Sequence, residues 1–117
     1  MNYIYKLILT AIILFIVDLI WLSSGGKYAL KLAETIQGHP VTFRYQYMPI
    51  IYIFLSYMLL EANSYTKAFL FGVCIYGVYD FTTLAIFKKY DYRFGFADTL
   101  WGGLLFVITK YIINKSY

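Results

Sequence analysis

Histidine, cysteine, proline and charge are all scarce in this chain. It has one histidine, His39, and one cysteine, Cys74. A lone cysteine excludes an internal disulfide framework and a cysteine-rich metal site. A lone histidine excludes the usual catalytic zinc and haem centres. No Ser-His-Asp set, Cys-His pair or phosphate-cradling glycine loop is legible. No catalytic residue, resident metal or cofactor is therefore expected, and an enzyme is the weakest of the functional readings. Only 14% of the 117 residues are charged, against about 25% in a soluble domain. Hydrophobic residues make up 62%. A chain so poor in polar groups cannot cover its apolar surface in water, so the bilayer is the expected partner.

The apolar residues are gathered into long runs. The first extends from Leu7 to about Leu22 and ends at Ser23, Ser24, Gly25 and Gly26. A cleavable signal segment is the competing reading, since Lys6 precedes an apolar stretch. The length of the run, Asp18 and Trp21 within it, and the absence of a clean small-x-small site favour a retained membrane helix. The second run, about Tyr47 to Leu60, is short for a crossing of about 20 residues, and Tyr45 and Tyr47 extend it as interfacial anchors. Pro49 falls in its first turn, where a missing N–H costs little. The third run spans Ala68 to Phe87 and the fourth about Phe94 to Ile113. The expected architecture is an all-α, integral membrane four-helix bundle in one domain, with spans near 5–23, 45–61, 66–87 and 94–113. Short links make spans two and three, and three and four, antiparallel hairpins. Transmembrane β-strands would alternate over about ten residues, so these continuous runs exclude a barrel.

Between the first two runs, Tyr28, Leu30, Leu32, Ala33 and Ile36 alternate with Lys27, Lys31, Glu34 and Gln37. This predicts a short amphipathic helix at the interface, ended by Gly38, His39 and Pro40. The net charge of +4 comes from bases scattered singly or in pairs between the runs. That pattern suits phospholipid headgroups, not nucleic acid. Lys27, Lys31, Arg44, Lys88, Lys89 and Arg93 fall on one side, and Lys6, Lys67, Lys110 and Lys115 on the side of the termini. The bias mildly favours termini outside the cell membrane. Cys74 is expected to pack inside the bundle. Glu34 and Asp91 are expected to be solvated, and His39 to be a loop residue.

The chemistry lies in the acids within the runs. A carboxylate at mid-membrane costs about 2.5–3.5 kcal/mol on insertion scales, so Asp18, Asp80 and Asp98 are expected to face the bundle interior. Counting along antiparallel spans at about 1.5 Å per residue puts all three, and Arg44, in the same half of the bilayer. Residues three or four positions away share a helix face. Trp21 follows Asp18 by three, Trp101 follows Asp98 by three, Tyr76 precedes Asp80 by four and Thr83 follows it by three. Indole, phenol and hydroxyl groups all donate to carboxylates. Gly77 and Gly102 admit a close neighbour. The candidate polar cluster is thus Asp18, Trp21, Arg44, Tyr76, Asp80, Thr83, Asp98 and Trp101.

The segments Tyr76-Gly77-Val78-Tyr79-Asp80-Phe81-Thr82-Thr83-Leu84-Ala85, Asp98-Thr99-Leu100-Trp101-Gly102 and Asp18-Leu19-Ile20-Trp21-Leu22 carry a resemblance. Together they resemble the small membrane proteins catalogued as domain of unknown function 2177. The resemblance implies four membrane helices and supplies no function. Three readings of the acids stay open. They line a site for a proton, a cation or a small polar ligand. They tether helices in a structural or accessory protein, as a homo-oligomer or on a larger membrane partner. Least favoured, they do acid–base work, with or without a divalent ion between them.

Overall fold

A computed structural model describes residues 2–40 and 44–116, all helix and turn. Five helices follow one another: α1 (Tyr3–Ser24), α2 (Gly26–Gln37), α3 (Met48–Glu61), α4 (Tyr65–Ile86) and α5 (Tyr92–Ser116). A single 3-10 turn, Tyr45–Tyr47, leads into α3. Among the described residues, α1, α4 and α5 are long and apolar enough to cross a membrane. The second apolar run becomes a helix of only 14 residues, about 21 Å long and short of the ~30 Å hydrocarbon core. Pro49 sits at its start, where it removes no helical hydrogen bond.

Local chemistry sets the helix ends. The Asn2 side chain accepts from Ile4 N at 2.7 Å and starts α1. Ser64 accepts from Lys67 N at 3.1 Å and starts α4. Gly38 closes α2 in the left-handed region at φ 81°, a conformation costly for a residue with a Cβ. The break expected over Ser23–Gly26 narrows to Gly25 alone, which stays in the right-handed helical region. Ser23 and Ser24 both donate back to Ile20 O, at 3.1 and 2.9 Å, as serines do in bending last turns. The linker residues 41–43 lie outside the described residues.

The helices pack around Leu14, Leu59, Ala68, Leu105 and Phe106, all buried. The closest contact is the α4–α5 hairpin. A Cβ on Gly72 would stand 2.1 Å from Gly102 O, and one on Gly102 would stand 2.4 Å from Tyr76 Cγ. The two backbones therefore touch, a small-residue crossing suited to lipid, where helices gain mainly by van der Waals packing. At the end carrying the termini, Lys110 Nζ donates to Ala62 O at 2.9 Å, placing a cation at the negative end of α3. Ser56 Oγ donates to Leu7 O at 2.7 Å and ties α3 to α1.

The outside of the bundle is apolar: Ile20, Phe54, Val78 and Ile86 are each about two-thirds exposed or more (65%, 68%, 70% and 66%). In water such a surface would aggregate; against acyl chains it needs no cover. The same reversal corrects the expectation for Cys74, which is exposed on α4 because an apolar face in lipid need not turn inward.

Replacing Gly72 with Ala is predicted to destabilise the protein by about 1–3 kcal/mol through overpacking. Gly26→Ala, whose added Cβ meets only ordinary contacts, is predicted to be near neutral. Thermal unfolding in detergent micelles compares the two; equal stabilities would contradict the close crossing.

Candidate functional site

The three intramembrane aspartates come together. Asp18 lies six residues before the end of α1, Asp80 six before the end of α4, and Asp98 six after the start of α5. At ~1.5 Å per residue each stands about 9 Å from the same end of the bundle. Asp18 and Asp80 are buried; Asp98 is half-buried. Asp98 is within electrostatic reach of both of the others.

The two Asp-x-x-Trp segments pair with each other. Trp101 Nε1 donates to Asp18 Oδ1 at 2.8 Å, and Trp21 Nε1 donates to Asp98 Oδ1 at 2.9 Å. Partner numbers fall on α5 as they rise on α1, the signature of antiparallel helices. The same register carries Leu14 to the level of Leu105. Each tryptophan thus serves the acid of the opposite helix, not the one on its own face. The indoles stack on one another, centroids 5.9 Å apart and 14° from parallel. Trp21 is seated by Gly25, where a Cβ would approach its ring to 3.1 Å. Phe94 stacks on Trp21 at 5.9 Å and meets Tyr28 at 5.4 Å.

Three further donors were not legible from helix spacing. Tyr52, one turn into α3, donates to Asp18 Oδ2 at 2.5 Å. Tyr90, in the α4–α5 link, donates to Asp80 Oδ1 at 2.8 Å. The Thr99 hydroxyl lies 3.1 Å from Asp80 Oδ2 and 2.8 Å from Gly95 O; its one proton serves one acceptor at a time. Tyr52 and Tyr90 lie on other elements than the acids they serve, so no intrahelical spacing points to them. Thr99 stands beside Asp98 in sequence yet faces Asp80.

Other members of the expected cluster are placed differently. Thr83 donates to Tyr79 O at 2.7 Å, the back-bond common to threonine in helices, and not to Asp80. Tyr76 packs on Gly102, and its hydroxyl has no hydrogen bond among the described residues. Arg44 is exposed before the 3-10 turn and bonds none of the three acids among the described residues. Neutral N–H and O–H groups lie instead against both oxygens of Asp18 and Asp80 and one oxygen of Asp98.

Beside the cluster is a cavity of about 580 Å³ between α2 and the α4–α5 hairpin. Asp18 and Asp98 line it, with Trp21, Tyr76, Tyr79, Thr83, Phe87, Tyr90 and Phe94. From α2 come Gly26, Ala29, Ala33, Ile36 and Gln37, one face of a helix. Lys27, Lys31 and Glu34 fall on the other face. No Lys, Arg or His is among the described lining residues. Nor, among the described residues, does any group of three or more His, Cys, Asp or Glu form a set able to hold a metal ion.

A latch outside the apolar spans holds α2 over this cavity. Tyr28 donates to Asp91 Oδ2 at 2.5 Å, and Asp91 Oδ1 accepts from Arg93 N at 2.9 Å at the start of α5. Asp91 is therefore engaged, not merely solvated as its sequence context implied. The Tyr28 hydroxyl, then the Arg93 N–H, hold its carboxyl below the usual 3.8. The same bond to Asp91 raises the Tyr28 phenol above 10.0. Burial, then the bond to Asp80, pushes the Tyr90 phenol up, so it remains a donor well into alkali. His39, beyond α2, is exposed and held by Gln37 at 3.1 Å.

Tyr52→Phe and Tyr90→Phe each leave a carboxylate oxygen without its donor and are predicted to destabilise by about 1–3 kcal/mol, read from thermal unfolding in micelles. Wild-type stability in both would contradict the donor assignments. The latch has two pH limits. The depressed Asp91 value means its contribution is complete above 3.8 and is lost as pH falls through the lowered value. The raised Tyr28 value means its contribution is complete below 10.0 and is lost as pH climbs through the raised value. A spin label at Ala33→Cys, on a Cys74→Ser background, is predicted to gain mobility at both extremes. Adding Tyr28→Phe should abolish the dependence; an unchanged label from strong acid to strong alkali would refute the latch.

No curated protein and no solved structure matches the chain. A family model described as a predicted membrane protein, domain of unknown function 2177, matches residues 3–112. That match covers two of the candidate spans whole and the third up to residue 112, with the three aspartates and both tryptophans, and the chain belongs to this family of membrane proteins.

Proposed function

We propose that Asp18, Asp80 and Asp98, with the adjoining cavity, form an intramembrane binding site for a positively charged species. In this reading the chain is one membrane domain, a four-helix bundle in which α3 and its leading turn make the fourth crossing. The observation that carries the proposal is the mismatch of charge. Two carboxylates line a cavity of about 580 Å³ whose described lining holds no cationic side chain, and a third lies beside them. Like charges at close range in a medium of low dielectric repel strongly. A positive charge entering the cavity relieves that repulsion, whereas a neutral or anionic occupant does not.

A tethering role has its own support. Asp18 accepts from both Tyr52 and Trp101, which ties α1 to α3 and α5. Tethering accounts for the donors. It gives no reason for a large cavity lined by acids, or for an amphipathic helix that turns its small residues toward that space.

The test is thermal stability in micelles during titration with sodium, potassium and tetramethylammonium chlorides, and with pH from 5 to 8. A species bound by the folded state raises the unfolding temperature in a saturable way. At least one cation, or the proton, is predicted to do so in the wild type and to fail in Asp98→Asn. Identical responses of both proteins to every salt and pH would contradict the proposal.

A further inference from the structure

The walls of the cavity narrow the kind of cation. Among the described residues six aromatic rings line it: Trp21, Tyr76, Tyr79, Phe87, Tyr90 and Phe94. We infer that this is an aromatic-walled site for an organic ammonium ion, free or carried as the headgroup of a lipid. The inference rests on the cation-binding reading above and specifies its ligand.

Three observations favour an organic ammonium over a metal ion. The first is the state of the carboxylate oxygens. Asp18 receives an indole N–H and a phenol O–H on its two oxygens, and Asp98 receives an indole N–H. These donors take up part of the roughly four acceptor positions that each carboxylate offers, leaving fewer free oxygens than the about six to eight that a hard cation such as calcium gathers. Hard cations lose hydration water only when several oxygens replace it. A quaternary ammonium ion is weakly hydrated and needs no such shell, and a primary one brings three N–H donors that carboxylate oxygens accept. The second observation is size. About 580 Å³ lies within the usual range of small-molecule pockets, ~300–1,000 Å³, and is far larger than a bare ion requires. The third is the wall itself. Aromatic rings attract alkylammonium groups through their negative faces, most strongly when water is excluded.

The α2 contribution fits the same occupant. Gly26, Ala29 and Ala33 keep the roof low in bulk, leaving the space to a ligand with methyl or methylene groups. The apolar groove between α1 and α3, of about 400 Å³ and lined by Ile8, Ile12, Phe15 and Met48 among others, has no such charge and is left to acyl chains.

Tryptophan emission supplies the readout, since Trp21 lines the cavity and Trp101 is the other of the chain's two tryptophans. The full chain in an uncharged maltoside detergent is titrated with tetramethylammonium chloride and with ethanolamine at constant ionic strength. A saturable change is predicted, one that potassium chloride does not compete away. Tyr79→Leu and Phe87→Leu, both partly exposed positions, are predicted to weaken it about 5-fold each. Asp98→Asn should weaken it at least 10-fold, and Ala33→Leu, which fills the space, should abolish it. Circular dichroism confirms that each variant remains helical, and the two Leu variants at exposed rings keep the test decisive if Asp98→Asn unfolds. In a second arm, micelles doped with phosphatidylethanolamine or phosphatidylcholine compete with the free ion. Displacement by these and not by phosphatidylglycerol identifies the headgroup as the source; displacement by free ethanolamine alone identifies a soluble amine. The inference is overturned if potassium competes as well as tetramethylammonium, which would leave a simple cation site. It is also overturned, with the cation-binding reading, if no cation of any kind produces a saturable change. Wild-type affinity in Tyr79→Leu, Phe87→Leu and Ala33→Leu together would overturn it as well.

Discussion

Two indole–carboxylate hydrogen bonds crossing between α1 and α5 are the constraint on which the rest of the arrangement depends. A carboxylate within a bilayer needs donors from protein, because lipid offers none. Trp101 supplies one to Asp18 and Trp21 one to Asp98. Each bond spans the helix pair, so the two together fix orientation, level and rotation at once. A slide of one residue along either helix would break both. Once α1 and α5 are locked in this way, the acids cannot drift to different depths.

The remaining elements are brought to that layer by contacts of different kinds. α4 is carried in by α5, because Gly72 and Gly102 let their backbones touch and Thr99 and Tyr90 then reach Asp80. α3 is held at both ends: Tyr52 reaches Asp18 near its start, and Lys110 donates to the carbonyl of Ala62, its C-cap. The lower half of the bundle, around Leu59, Leu105 and Phe106, is apolar and closely packed. The upper half holds the acids, the stacked rings and the cavity. Such a division puts close packing below and room above, with α2 fastened across the opening through Tyr28 and Asp91.

Much of this was legible in the sequence, and the failures have physical reasons. The long apolar runs announced α1, α4 and α5, and the charge alternation after Gly26 announced α2, since these patterns are properties of a single segment. The cost of charge in lipid was enough to turn Asp18, Asp80 and Asp98 inward. What could not be read was which donor serves which acid. Same-face spacing favoured Trp21 for Asp18 and Thr83 for Asp80, but a donor three residues away on one helix is usually held beside its neighbour, not aimed at it. Tyr52, Tyr90 and Thr99 depend on tertiary packing and left no local signal. Arg44 was expected to join the polar cluster; it stands exposed instead, and hydroxyl and indole donors meet the acids without the cost of burying a second charge. The second apolar run yielded a 14-residue helix that opens one residue before Pro49 and is capped at Ala62, where the backbone turns extended.

The crossing of the two tryptophan bonds can be observed directly. With only two tryptophans in the chain, a nitrogen-15 spectrum of the protein in micelles contains two indole N–H signals, assigned by Trp21→Phe and Trp101→Phe. The account predicts that Asp98→Asn moves chiefly the Trp21 signal and Asp18→Asn chiefly the Trp101 signal. If each substitution instead moves the tryptophan three residues along its own helix, or leaves both signals in place, the cross-braced layer does not exist.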